Sequence, residues 1–139
     1  MSGDSTDPLQ VVAEAQPPFS TFMGIRLVSY SRDEVVGELY VREDLANRNG
    51  VLHGGAIMAF ADNLGGTAAS LNLPAGAGTT TMESKTNFLR AIPLGHTARA
   101  VCVPLHRGRS TSVWQTTVSD GEGRAAAIVI QTQMVLLRR

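Results

Sequence analysis

Apolar positions along this chain recur with two different periods. Over residues 25–31 and 34–42 they alternate, as strands require. In the second run Val35, Gly37, Leu39 and Val41 share one face, and Glu38, Tyr40 and Arg42 share the other; Asp33 sits in the turn between the runs. Over residues 54–72 the period lengthens. Ile57, Phe60, Ala61, Leu64, Ala68 and Leu71 follow helical spacing, beside a second stripe of Met58, Asp62, Gly65, Gly66 and Ala69. A helix with so few polar positions is predicted to be buried. Gly65 and Gly66 each weaken it by about 1 kcal/mol relative to Ala, so two in succession suggest that something packs closely against that side. Pro74, Gly76 and Gly78 end the segment. Alternation then returns, predicting strands at 79–90, 96–105, 110–119 and 124–137, separated by Ile92-Pro93-Leu94-Gly95, Arg107-Gly108 and Asp120-Gly121-Glu122-Gly123.

The start of the chain is less regular. Residues 1–8 are polar and acidic and read as a disordered tail, leaving 9–139 as a single domain. Residues 9–16 suit a short helix stopped by Pro17 and Pro18, after which Phe19, Phe22 and Met23 form an apolar anchor before Gly24. Residues 43–50 form a polar loop. The order is therefore two strands, one long apolar helix and four strands. The simplest architecture is α+β: one antiparallel sheet of five to six strands wrapped around a central helix, with no βαβ alternation.

Composition narrows the function classes. At 139 residues, 43% apolar and 17% charged, the chain has the make-up of a folded domain with a sizeable core. Twelve basic and twelve acidic residues cancel, and no basic run is present, which argues against nucleic acid as a partner. The longest strictly apolar runs, residues 125–130 and the equally long 56–61, fall far short of the ~20 residues of a spanning helix, so no membrane role is expected. The single cysteine, Cys102, excludes an intrachain disulfide and a cysteine metal cluster, and its apolar surroundings suit a buried small residue. Residues 1–8 show neither a basic nor an apolar signal region, so a cytoplasmic location is expected.

The chemistry concentrates in Asn47-Arg48-Asn49-Gly50-Val51-Leu52-His53-Gly54-Gly55 and the helix that follows. A loop ending in two glycines feeds a helix N-terminus, whose first N–H groups lack internal partners and carry partial positive charge. That suits an oxyanion, although the glycines could equally serve only a tight turn. Asp62 is an acid within an apolar helix, in need of a partner or a function. Asn47 could fold back toward the glycines and orient a carbonyl or a water; it could also be a turn former.

Together these residues resemble the hotdog-fold acyl-CoA thioesterases of the phenylacetyl-CoA thioesterase (PaaI) group. The resemblance runs from Phe22-Met23-Gly24-Ile25 through Gly108-Arg109-Ser110 to the C-terminus. It implies that the Gly54 N–H binds the thioester oxygen, that Asn47 polarises or positions the thioester, and that Asp62 is nucleophile or general base. It places Thr81 where relatives hold the attacking water with a hydroxyl. His53 is set beside the reaction centre, either packing under the loop or acting near the thiol leaving group. His96 and His106 lie outside the motif, at expected strand ends. Some 4-hydroxybenzoyl-CoA enzymes of this fold carry Glu at the Asp62 position and a hydroxyl residue one turn later; here that later residue is Gly66, which favours the Asp-based, Thr81-assisted version. No cofactor or metal is implied, since coenzyme A is part of the substrate.

Helix geometry adds an independent inference. Asp62 follows Gly54 by eight residues, about 12 Å along a helix axis. One carbonyl must lie within about 3–3.5 Å of both attacker and oxyanion donor. If both residues act, they come from different subunits. A homodimer is then the smallest active unit, with Gly65 and Gly66 permitting two helices to approach; the family resemblance extends this to a homotetramer. Coenzyme A phosphates call for cations at the entrance, for which Arg107 and Arg109, with Ser110 and Thr111 beside them, are candidates; Arg90 and Lys85 are weaker ones. Phe60, Met58, Met82, Leu45 and Phe19 could line an acyl pocket or belong to the core. Three alternatives stand beside the thioesterase: a hotdog hydratase or dehydratase using His53, a non-catalytic acyl-CoA-binding module, and a purely structural dimerisation domain.

Overall fold

The computed structural model describes residues 7–137; most of the expected tail, residues 1–6, lies outside them. The first helix, α1 (Pro8–Glu14), is capped by the Asp7 carboxylate, which accepts from the Leu9 N–H at 3.0 Å. The chain's next element differs from expectation. Pro17 and Pro18 end α1 but also start α2 (Pro18–Met23), with Pro18 in the first turn and Gly24 closing the helix in the left-handed region at φ 81°. Proline suits that first position because its missing N–H would have had no helical partner.

Six strands follow the sequence pattern: β1 (Arg26–Tyr30), β2 (Val35–Tyr40), β3 (Gly78–Phe88), β4 (Thr97–Arg107), β5 (Thr111–Ser119) and β6 (Ala125–Leu136). They form one antiparallel sheet in the order β1-β2-β4-β5-β6-β3. The long helix α3 (Gly54–Ser70) lies across its inner face, as the α+β hotdog arrangement requires. Ile57, Phe60, Ala61, Leu64 and Ala68, the stripe expected to be apolar, are all buried against inner-face residues such as Leu39, Ala100, Cys102, Trp114 and Val118. The second stripe divides. Gly65 and Ala69 are buried, whereas Met58 and Asp62 are exposed.

Among the described residues of the single chain, the close packing expected at the paired glycines is found at Gly65. A Cβ there would lie 2.3 Å from Cδ of Gln131, whose side chain occupies that space; nothing lies within 4 Å of the equivalent point on Gly66. Gly65 therefore admits a glutamine from β6, not a second helix.

Two features of β3 position the site. It is an edge strand of eleven residues, paired only to β6. It also carries a register shift between Thr81 and Glu83. Without the shift, alternation would put Thr81, Glu83 and Lys85 on one face. With it, Thr81 pairs with Gln133 and Ser84 with Gln131, both buried inner-face positions, and Glu83 pairs with Thr132. Bulges often re-aim side chains beside functional sites.

Candidate active site

The N-terminus of α3 is built by His53. Its backbone is extended (φ −62°, ψ 136°), and its Nδ1 accepts the Gly55 N–H at 2.8 Å. This is the capping role usually taken by Ser, Thr, Asp or Asn. A neutral imidazole accepting at Nδ1 carries its proton on Nε2. The Ala56 and Ile57 N–H groups donate to the His53 carbonyl at 2.9 and 3.1 Å. Among the described residues the Gly54 N–H has no hydrogen-bond partner. It is thus an unsatisfied donor at the positive end of a seventeen-residue helix. Its own Cβ, if present, would lie 3.3 Å from the Phe88 ring.

The preceding loop doubles back as expected, tied by the Ala46–Leu52 bridge and by His53 N–H to the Leu45 carbonyl at 2.9 Å. Asn47 lies opposite Val51, where its Oδ1 accepts from the Asn49 N–H at 2.9 Å and the Val51 N–H at 3.4 Å. Its side-chain oxygen therefore organises the turn, and its side-chain NH2 is left unbonded among the described residues. No hydrogen bond joins Asn47 to Gly54 or Asp62 within the described chain.

Asp62 and Thr81, nineteen residues apart, meet. The Thr81 hydroxyl donates to Asp62 Oδ1 at 2.7 Å. Both line a groove of about 840 Å³ between α1, the C-terminal half of α3 and the start of β3, whose walls include Val12, Gly66 and Gln133. The second carboxylate oxygen of Asp62 makes no hydrogen bond among the described residues. Asp62 is exposed within the single chain.

Behind Thr81 lies a set of polar side chains that periodicity and motif did not single out. Gln131 and Gln133 are each 1% exposed on the inner face of β6. Gln133 Nε2 donates to Thr81 Oγ1 at 2.7 Å and to Gln131 Oε1. Gln133 Oε1 accepts from the Thr79 hydroxyl at 2.9 Å, and Gln131 Nε2 donates to the Ala61 carbonyl at 3.3 Å. The signal was present in the sequence: two amides at alternate positions continuing the inward face of Val129.

The remaining candidates are placed as follows. Arg107 is engaged by Asp33 at 2.8 Å and by the Arg32 carbonyl at 2.9 Å, which offsets its charge. Arg109 and Ser110 are exposed at the β4–β5 turn, and Arg109 forms no ion pair among the described residues. Thr111 pairs with Met134, which pairs with Thr80. The turn therefore sits at the Thr81 end of the sheet, two strands and about 10 Å across. Phe60 belongs to the core at 0% exposure, while Phe19, Met58 and Met82 are exposed. Phe19, Leu45 and His53 border a separate cavity of about 240 Å³. Cys102 is buried, and burial pushes its thiol up to about 11, the neighbouring Thr116 hydroxyl offsetting only part of the rise. His96 precedes β4 and His106 lies at its end. Among the described residues no group of three or more His, Cys, Asp or Glu is arranged to hold a metal, and no helix is long and apolar enough to cross a membrane.

Residues 49–127 match the family model of the thioesterase superfamily. The chain is 31% identical over 129 residues to the protein Rv1847 of Mycobacterium tuberculosis, covering 91% of this chain and 89% of that one. Its fold is similar to the thioesterase PA1618 of Pseudomonas aeruginosa, solved as a mutant, with a TM-score of 0.86, 26% identity and 96% of each chain covered. It is also similar to a hypothetical thioesterase of Streptococcus pneumoniae solved with coenzyme A, with a TM-score of 0.75, 26% identity, and coverage of 83% of this chain and 88% of that one.

Proposed function

The chain belongs to the thioesterase superfamily, and we propose that it is a PaaI-like thioester hydrolase that converts an acyl-CoA to the free acid and coenzyme A, using Asp62. The observation that carries this reading is the Asp62–Thr81 pair on the wall of a large groove. One carboxylate oxygen is fixed by the hydroxyl and the other is free to attack the thioester carbon or to take a proton from an attacking water. The coenzyme A bound to the Streptococcus relative supports this choice of substrate.

The negative charge that develops on the carbonyl oxygen needs a donor, and the unpartnered Gly54 N–H suits it. It lies too far along the same helix. The exposed edge of β3 supplies a route, since unpaired edges invite pairing with another chain. β3 runs beside α3 so that Thr81 is next to Asp62 and Phe88 is next to Gly54. An antiparallel two-fold pairing that sets Thr81 opposite the partner subunit's Phe88 brings Asp62 to the partner subunit's Gly54 and makes two equal sites. In this reading the unbonded Asn47 NH2 reaches the thioester from the partner loop, and His53 acts by aiming that loop. Arg109, Ser110 and Thr111 sit where the phosphates of coenzyme A leave the groove. Two such dimers form the tetramer.

A hydratase would need a histidine beside an acid, and His53 Nδ1 is committed to the cap, which speaks against that alternative. The test is release of free thiol from short, long and aromatic acyl-CoAs, with Asp62→Asn as the control. Thiol release that disappears in Asp62→Asn supports the reading. Tight acyl-CoA binding without thiol release would overturn it in favour of a binding module.

A further inference from the structure

Resting on the assignment of Asp62 above, we propose that Gln133 is a positioning residue that fixes the direction of the Thr81 hydroxyl, acting on catalysis only through Thr81. Donors and acceptors along the buried amides allow one orientation. The Ala61 carbonyl, on the residue before Asp62, can only accept. Gln131 therefore turns its NH2 toward it, which leaves Gln131 Oε1 facing Gln133. Gln133 must then present its own NH2 at that point, and the same nitrogen faces Thr81 Oγ1 at 2.7 Å. Gln133 Oε1 is turned to the Thr79 hydroxyl. Each amide has two N–H donors and one acceptor oxygen, so this orientation satisfies the chain and the reverse does not.

The consequence reaches Asp62. Because Thr81 Oγ1 accepts from Gln133, its single hydrogen is directed to Asp62 Oδ1. A threonine hydroxyl without that donor can rotate and accept from a water or donate elsewhere. The series running from the Ala61 carbonyl through Gln131, Gln133 and Thr81 thus begins one residue from the carboxylate it ends on. It ties the β6 side chains, the bulged edge of β3 and α3 into one unit. Gly65 belongs to it as well, since only a residue without Cβ leaves room for Gln131. Gln133 contributes to the floor of the groove, but its polar atoms are turned to Thr79, Thr81 and Gln131 rather than to the open space.

The experiment is a double-mutant cycle on the whole protein, read by steady-state thiol release. Gln133→Met keeps an unbranched side chain of similar length and removes the donor. Thr81→Val removes the hydroxyl and Thr81→Ser retains it. Loss of one directed hydrogen bond corresponds to a fall in kcat of about tenfold. We expect that fall in Gln133→Met and in Thr81→Val, with KM unchanged, a smaller fall in Thr81→Ser than in Thr81→Val, and no further fall when Gln133→Met is added to Thr81→Val. Effects that multiply in the double variant would overturn the proposal, because a residue acting through Thr81 has nothing to act on once the hydroxyl is gone. A change in KM with kcat unaltered would also overturn it. If Gln133→Met does not fold, as judged by thermal melting, Gln131→Met carries the same test one link earlier. Retention of full activity by Asp62→Asn would instead end the proposed function itself, which separates the two failures.

Discussion

Gly65 and Gly66 are adjacent and chemically identical, yet alanine should move stability in opposite directions at the two positions. Alanine in a helix interior is favoured over glycine by about 1 kcal/mol, and that gain applies to both. At Gly66 nothing lies within 4 Å of the added carbon, so Gly66→Ala should stabilise the chain by about 0.5–1 kcal/mol. At Gly65 the added carbon would meet Gln131 Cδ, Oε1 and Nε2 at 2.3, 2.4 and 2.5 Å. The end of a glutamine can rotate away, so the steric conflict alone is cheap to relieve. The rotation, however, breaks the bonds from Gln131 to Ala61 and Gln133 where both amides are 1% exposed. Leaving such groups unpaired costs about 1–3 kcal/mol. Gly65→Ala should therefore lose up to about 2 kcal/mol net, and the two variants should differ by the unpairing cost of about 1–3 kcal/mol. Urea unfolding of both at one protein concentration measures this, with any oligomer contribution held constant. Equal shifts in the same direction would refute the reasoning, because the helix-propensity gain would then be the whole effect.

Trp114 is fully buried and donates from Nε1 to Ser112 Oγ at 2.8 Å; Trp114→Phe should cost about 2 kcal/mol in denaturant unfolding, from lost volume and an orphaned hydroxyl. The fold holds the Cys102 thiol protonated up to about 11, above its ordinary 9.0. Its contribution is therefore complete below pH 9 and is lost as pH rises through 11, so wild-type stability should fall more steeply than that of Cys102→Ala across that window. Asp120 presents the opposite case. Burial raises its carboxyl, but N–H groups of Arg124 and Glu122 and the Arg124 guanidinium outweigh this and leave it below the usual value; its contribution is present above the ordinary carboxylate range and should vanish on acidification, an acid-side slope that Asp120→Asn should flatten. Arg109→Ala should raise KM for acyl-CoA more than it lowers kcat, and by more than Arg107→Ala does, since Arg107 is already engaged by Asp33.

Periodicity carried most of the fold. The predicted helix at 54–72 is α3 (Gly54–Ser70), and the strand predicted at 110–119 is β5 (Thr111–Ser119), because one face of each is buried and the alternation reports it. α2 was hidden, since Pro17 and Pro18 read as a stop, whereas Pro18 also suits a helix start. The meeting of Asp62 with Thr81 was expected only through family resemblance; their contact depends on the pairing of β3 with β6 and on the bulge after Thr81, neither of which leaves a local pattern. The paired glycines marked close packing correctly at Gly65 but not its source, as a long-range glutamine and a neighbouring helix ask the same thing of the sequence. Gln131 and Gln133 could have been found, as polar residues on a face that Val129 marks as buried.

The central claim is that Asp62 of one subunit and the Gly54 N–H of another act on one thioester. Gly54 is the first residue of α3, a position where proline is tolerated, so Gly54→Pro deletes the donor while keeping the helix. Mixing Gly54→Pro with Asp62→Ala under subunit exchange, each inactive alone, should restore about a quarter of wild-type thiol release, since about half of the dimers are mixed and each mixed dimer has one intact site. No recovery in demonstrably mixed dimers would mean that both groups serve the same chain's site, and would contradict the account.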